Sequence, residues 1–120
     1  MKTKQPVIAV FDIGKTNKKL LVFDENYQVV SEETTYFAED VDEDGFPCEN
    51  IDVLTAWMLH HVQLLKQSKL FELKAVNFST YGASLLYIDA QGKRIAPLYN
   101  YLKPYSQDLL NQFYATHGDN

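Results

Sequence analysis

The sequence is short of cysteine, of long apolar runs and of positive charge, and each shortage closes off a class of protein. A single cysteine, Cys48, has no partner for an internal disulfide. The opening Met1-Lys2-Thr3-Lys4-Gln5-Pro6 is polar with no apolar signal segment behind it, so the cytoplasm is the expected compartment. No apolar run approaches the roughly twenty residues needed to span a bilayer, and no membrane partner is expected. Acidic residues outnumber lysine and arginine by 16 to 11, and the resulting net charge of -5 repels nucleic acid.

What is present is ordinary for a globular protein: 120 residues, 46% hydrophobic and 22% charged, enough for one domain or part of one. The most informative stretch is Val7 to Asp24. Val7 to Phe11 is a continuous apolar run, as expected of a strand covered on both faces, and Leu20 to Phe23 is a second such run. The polar turn between them holds Asp12, Gly14, Thr16, Asn17 and three lysines, Lys15, Lys18 and Lys19.

Such a turn offers a phosphate backbone N–H groups made approachable by Gly14, a hydroxyl at Thr16, an amide at Asn17 and nearby positive charge. Asp12 fits only if a cation stands between it and the phosphate, which points to Mg²⁺ held through water. The alternative on the same residues is an ordinary hairpin with solvated lysines at its turn. A P-loop is excluded, because the glycine required five positions before Gly14 is Ala9 and the turn leads into a strand.

Asp12-Ile-Gly14-Lys15-Thr16-Asn17-Lys-Lys19, followed by an apolar strand and Phe23-Asp24, resembles the first phosphate motif of the FGGY sugar kinases, relatives of actin, hexokinase and the Hsp70 chaperones. Lys15 stands where that family more often has threonine. The resemblance implies ATP and Mg²⁺ as cofactors, with Asp12 organising the metal and Gly14, Lys15, Thr16, Asn17 and Lys19 holding the nucleotide phosphates.

Tyr27 to Phe37 reads as a third strand, giving an antiparallel meander. Ala38 to Pro47 reads as a solvated acidic loop. Its Asp40-Val-Asp42-Glu-Asp44-Gly45 matches the first half of an EF-hand, but the twelfth position, which needs glutamate, is Ile51. Ile51, Leu54, Met58, Val62 and Leu65 form the stripe of an amphipathic helix, capped by Asn50 or Asp52, with Trp57 packing and His60 and His61 at the surface or its boundary. Lys74 to Ser79 is the next strand, reached through a helical crossover. Three antiparallel strands, a helix and a further strand make the α/β mixed sheet that opens a ribonuclease H-like, actin-like ATPase fold. With an inserted hairpin expected from Leu85 to Asp89 and Arg94 to Pro97, residues 1 to 120 are expected to be the N-terminal part of the first FGGY kinase domain, an incomplete domain.

Thr80-Tyr81-Gly82-Ala83-Ser84 resembles the sugar-proximal segment of FGGY kinases, rhamnulokinases most closely, whose sugar-binding aspartate falls on Ser84 here. After Pro97 the family's aromatic, arginine and aspartate residues are replaced by Leu98 to Tyr105, in which Asn100, Tyr101 and Lys103 can donate hydrogen bonds. The resemblance implies a sugar-facing set of Thr80, Tyr81, Gly82, Ser84, Asn100 and Tyr101, though a merely packed tyrosine loop fits the same residues. Ser106 caps a final helix carrying Leu109, Leu110 and Phe113.

In that family the general-base aspartate and the adenosine pocket lie further along than the length present, so the chain alone is expected not to turn over ATP. The full protein is expected to phosphorylate a ketose, deoxy-ketose or polyol. The alternative is a non-catalytic nucleotide- or sugar-binding regulatory module. Surface left open by missing elements is expected to drive self-association.

Overall fold

The computed structural model describes residues 3–119. Its centre is a four-stranded mixed sheet whose strands lie side by side in the order Val29–Thr35, Lys18–Phe23, Gln5–Ile13, Phe71–Thr80. Strands β1 (Gln5–Ile13), β2 (Lys18–Phe23) and β3 (Val29–Thr35) form an antiparallel meander. Helix α1 (Ile51–Gln67) carries the chain across to β6 (Phe71–Thr80), which lies parallel to β1. A two-stranded ribbon, β4 (Asp40–Val41) with β5 (Pro47–Cys48), intervenes before α1, and α2 (Gln107–His117) ends the chain.

Alternation along β1 sets the layers. Val7, Ala9, Phe11 and Ile13 point to one face and are buried, joined there by Leu20 and Val22 of β2 and Leu54 of α1. The opposite face is not covered, contrary to the expectation from the continuous apolar run: Ile8 is 37% exposed and Asp12 is exposed. Trp57 of α1 packs edge-on against Phe11 at 5.5 Å and Phe37 at 6.0 Å, so the helix is keyed to the sheet by its aromatic contacts as well as its apolar stripe.

Local chemistry fixes the ends of α1. The Asn50 side chain accepts from the Val53 N–H at 3.1 Å, and at the other end the Ser68 hydroxyl accepts from the N–H groups of Leu70 and Phe71 at 3.0 Å each, launching β6. Strand β3 is shorter than the expected Tyr27 to Phe37, because Tyr27 occupies the turn with φ 61°. The expected hairpin beyond β6 reduces to one bridge, Ile88 with Arg94, around a turn in which the Asp89 carboxylate accepts from Gln91 and Lys93 N–H. Its apolar residues Leu85, Ile88 and Ile95 are exposed, so no sheet lies beneath them to extend the ladder.

Helix α2 is capped by Ser106, as its sequence predicts, yet buries no residue. The radius of gyration of 19.2 Å therefore exceeds the about 14 Å of a compact chain this long.

Candidate functional site

The bend between β1 and β2 is a closed turn. The Gly14 N–H donates to the Asn17 carbonyl at 2.9 Å, and a Cβ at position 14 would lie 2.7 Å from that oxygen. Glycine is needed here for the close approach of Asn17, and its amide is not presented outward as the phosphate reading expected. Thr16 and Asn17 are exposed, while the Lys15 ammonium stands 3.4 Å from Glu39.

The pleat divides the charged residues of the bend between two faces. Asp12 lies opposite Lys19 on β2 and Ser79 on β6, and Lys19 lies opposite Thr34 on β3. Thr34, Lys19, Asp12 and Ser79 thus form a polar row across the uncovered face at the carboxyl ends of β1 and β6, the end at which open α/β sheets bind ligands. Lys19 is 3.8 Å from Glu32.

Lys18 points to the opposite face and is buried, against the alternative of a hairpin with solvated lysines at its turn. Its ammonium lies 2.8 Å from Glu49 Oε1 and donates to Glu49 Oε2 at 3.0 Å and to the Lys15 carbonyl at 2.8 Å. Glu49 Oε2 also accepts from the Tyr81 hydroxyl at 2.9 Å. Burial, and then the bond to Glu49, push the Tyr81 phenol well above the ordinary tyrosine range, so it stays a neutral donor. Backbone bonds complete the junction: the Tyr81 N–H donates to the Ile13 carbonyl, and Glu49 bridges Leu98.

Beside this junction a narrow cleft of about 10 Å³, room for about one water, brings Lys15 together with Tyr81, Asn100 and Tyr101. Its remaining lining is Glu39, Cys48, Glu49 and Leu98, none of which the sequence singled out for the site. Tyr81 and Tyr101 face each other with ring centroids 6.2 Å apart. Asp12, Gly14, Thr16, Asn17, Lys19, Thr80, Gly82 and Ser84 do not line the cleft. The Ser84 hydroxyl is buried without a hydrogen-bond partner among the described residues, and Ala83 beside it holds φ 59°, a left-handed conformation that costs an L-residue about 1 kcal/mol.

The acidic residues of the loop are exposed, as its composition implies, except Asp42, which anchors it. The buried Asp42 carboxylate accepts through Oδ1 from the N–H groups of Asp44 and Phe46 at 2.9 Å, and through Oδ2 from Lys103 at 2.6 Å. Lys103 also donates to Asp44 at 2.7 Å and lies 5.0 Å from the centre of the Tyr99 ring, whose hydroxyl donates to Glu43. The half EF-hand thus holds an internal ammonium. Lys103 is committed there and does not serve as the free donor for hydroxyls that its sequence position allowed. Signals for these pairings were absent from the sequence, because they join positions far apart along the chain.

The fold so built, an antiparallel meander crossing over through a helix to a parallel strand, is the mixed sheet of the actin-like ATPase class. No protein-family model matches the sequence, and no curated protein sequence matches it. Solved structures do. The glycerol kinase of Plasmodium falciparum, determined with ADP, superposes with a TM-score of 0.72 at 16% identity over 98% of this chain and 24% of its own. The gluconate kinase of Lactobacillus acidophilus gives 0.64 at 16% identity over 79% of this chain and 19% of its own. The ligand-bound xylulose kinase of the same organism gives 0.63 at 16% identity over 78% and 19%. The chain therefore shares its fold with FGGY carbohydrate kinases and spans less than a quarter of their length.

Proposed function

We propose that this chain is the N-terminal part of the first domain of a cytoplasmic, ATP-dependent carbohydrate kinase, contributing the first phosphate-binding bend and part of the sugar site. One observation carries the reading: Lys15 of the bend and Tyr81, Asn100 and Tyr101 of the sugar-like segment, distant in sequence, line one cleft beside the carboxyl ends of β1 and β6. The neighbours named for glycerol, gluconate and xylulose agree with a polyhydroxylated acceptor.

In this reading Lys15, Thr16, Asn17 and Lys19 attend the nucleotide phosphates, and Gly14 closes the turn that carries them. Thr80, Tyr81, Gly82, Ser84, Asn100 and Tyr101 form the sugar-facing segment, with Tyr81, Asn100 and Tyr101 in contact and Thr80, Gly82 and Ser84 shaping the backbone behind them. Asp12 fits a magnesium site of the nucleotide type: it is exposed, it is the one carboxylate in its polar row, and such sites need only one or two carboxylates beside phosphate and water. Magnesium, when bound, neutralises the charge of the transferring phosphoryl group. The base that takes the acceptor's proton is assigned to protein outside this chain, which by itself should not release ADP.

The test is the complete reading frame assayed with ATP, Mg²⁺ and a panel of ketoses and polyols. ADP release that depends on one of them, and that Asp12→Asn abolishes in a folded protein, is the expected result. If no carbohydrate in the panel elicits release, the kinase reading is wrong.

A further inference from the structure

Glu49 stands where three separate parts of the chain meet. Its carboxylate binds the Lys18 ammonium at 2.8 Å and the Tyr81 hydroxyl at 2.9 Å, and Lys18 in turn grips the Lys15 carbonyl inside the bend at 2.8 Å. Its side chain is only 9% exposed and that of Lys18 only 3%, so the pair is largely shielded from water. Each partner leads to a different half of the site. Lys15 belongs to the bend, while Tyr81 is a wall of the cleft.

From this we infer that Glu49 is a positioning residue that couples the phosphate-binding bend to the polyol cleft. The inference rests on the functional reading above for what the two halves bind, but the physical linkage does not. A ligand that moves the Tyr81 hydroxyl alters the geometry available to Glu49, and the other partner of its carboxylate among the described residues is Lys18, which holds the bend. Low local dielectric strengthens each bond in such a chain and makes one member's displacement felt by the next. Linkage is reciprocal, so a nucleotide settling on the bend would change polyol affinity by the same factor by which the polyol changes nucleotide affinity. The pairing also explains why a glutamate that lines the cleft is nearly withdrawn from solvent. Its charge is spent on Lys18, and Tyr81 is held as a neutral donor facing it.

The test needs no ligand, so it can fail while the kinase reading stands. Backbone amide resonances of Lys15, Thr16 and Asn17 are compared in the isotope-labelled 120-residue chain and in Tyr81→Phe, which deletes only the hydroxyl. The expected result is a shift well beyond the line width at the bend. Tyr99→Phe is the control, because its hydroxyl donates to Glu43 and not to Glu49, and it should leave those three amides in place. In a Glu49→Asp background, whose shorter side chain cannot span both partners, Tyr81→Phe should no longer move them. Bend amides that stay within the line width in Tyr81→Phe overturn the proposal, whether or not the Glu49 variant folds. Equal shifts with and without the Glu49 change overturn it as well.

Discussion

Lys18 and Glu49 form an ion pair at 2.8 Å between side chains that are 3% and 9% exposed, and it lies between the β1–β2 bend and the start of α1. Removing one partner leaves the other charge buried without compensation. Lys18→Met is therefore expected to cost about 3–5 kcal/mol, a large share of the stability of a small domain. Replacing both, as Lys18→Met with Glu49→Leu, should recover most of the loss, since an apolar pair carries no desolvation penalty. Urea unfolding followed by the fluorescence of Trp57, the sole tryptophan, reads both. A double variant no more stable than Lys18→Met would show that the site cannot accept an apolar pair.

Gly14 makes the second prediction. A methyl at this position would sit 2.7 Å from the Asn17 carbonyl oxygen, a backbone atom that can yield only by opening the turn. Gly14→Ala should destabilise the chain by about 1–3 kcal/mol and break the Gly14 to Asn17 bond. Faster hydrogen exchange at the Gly14 amide, with β1 and β2 otherwise protected, is the signature. An unchanged amide would mean that the turn does not depend on this contact.

These two residues also show what the sequence could and could not disclose. The apolar run that marks β1, the helical stripe from Ile51 to Leu65 and the caps Asn50 and Ser106 are local, and each element appears where its pattern implies. The sheet order follows from them once a helix separates the third and fourth long strands. Burial of Lys18, by contrast, depends on Glu49 and Tyr81 arriving from other elements, so nothing within the turn itself marked it. The same holds for Asp42 and Lys103, whose pairing fixes one point of a largely exposed loop. Bare apolar flanks mislead in the other direction: the run Val7 to Phe11 looks like a strand covered twice, and only one side has a partner.

The Asp42–Lys103 clasp carries a pH signature. The hydrogen bond from Lys103 holds the Asp42 carboxyl below its ordinary range, helped by the Phe46 and Asp44 amides against the opposing effect of burial. Hydrogen bonds to Asp42 and Asp44 push the Lys103 ammonium above its usual range. A depressed carboxyl stabilises the fold above its unfolded pKa of about 4 and loses that contribution as pH falls through the folded value. A raised ammonium stabilises below its unfolded pKa of about 10.4 and loses that contribution as pH rises through the folded value. The clasp is thus complete across neutral pH and fails at both extremes. Urea midpoints measured against pH should fall below about pH 4 in the native chain, and Lys103→Met should flatten that acid limb while lowering the neutral plateau. An acid limb of the same depth in both proteins would place its origin in other carboxylates.

Two apolar surfaces bear on how the chain behaves alone. The sheet face opposite α1 presents Ile8 at 37% exposure beside Val10 and Leu21, and no described element covers it. Helix α2 presents Leu109 and Phe113, both more than half exposed, with Tyr114 and Tyr105 alongside. Contiguous apolar surface of this kind is uncommon on monomeric proteins, and its burial returns roughly 25 cal/mol for each Å² removed from water. Strand β6 adds an edge with unpaired backbone groups, because only β1 pairs with it. The 120-residue chain is therefore expected to self-associate, with mean mass by light scattering rising with concentration. Leu109→Lys together with Phe113→Lys should lower that mass if the helix is the contact, without loss of the sheet, since α2 buries nothing in the core. Ile8→Lys tests the sheet face in the same way, and a chain that stays monomeric at high concentration would show that neither surface is sticky enough to pair.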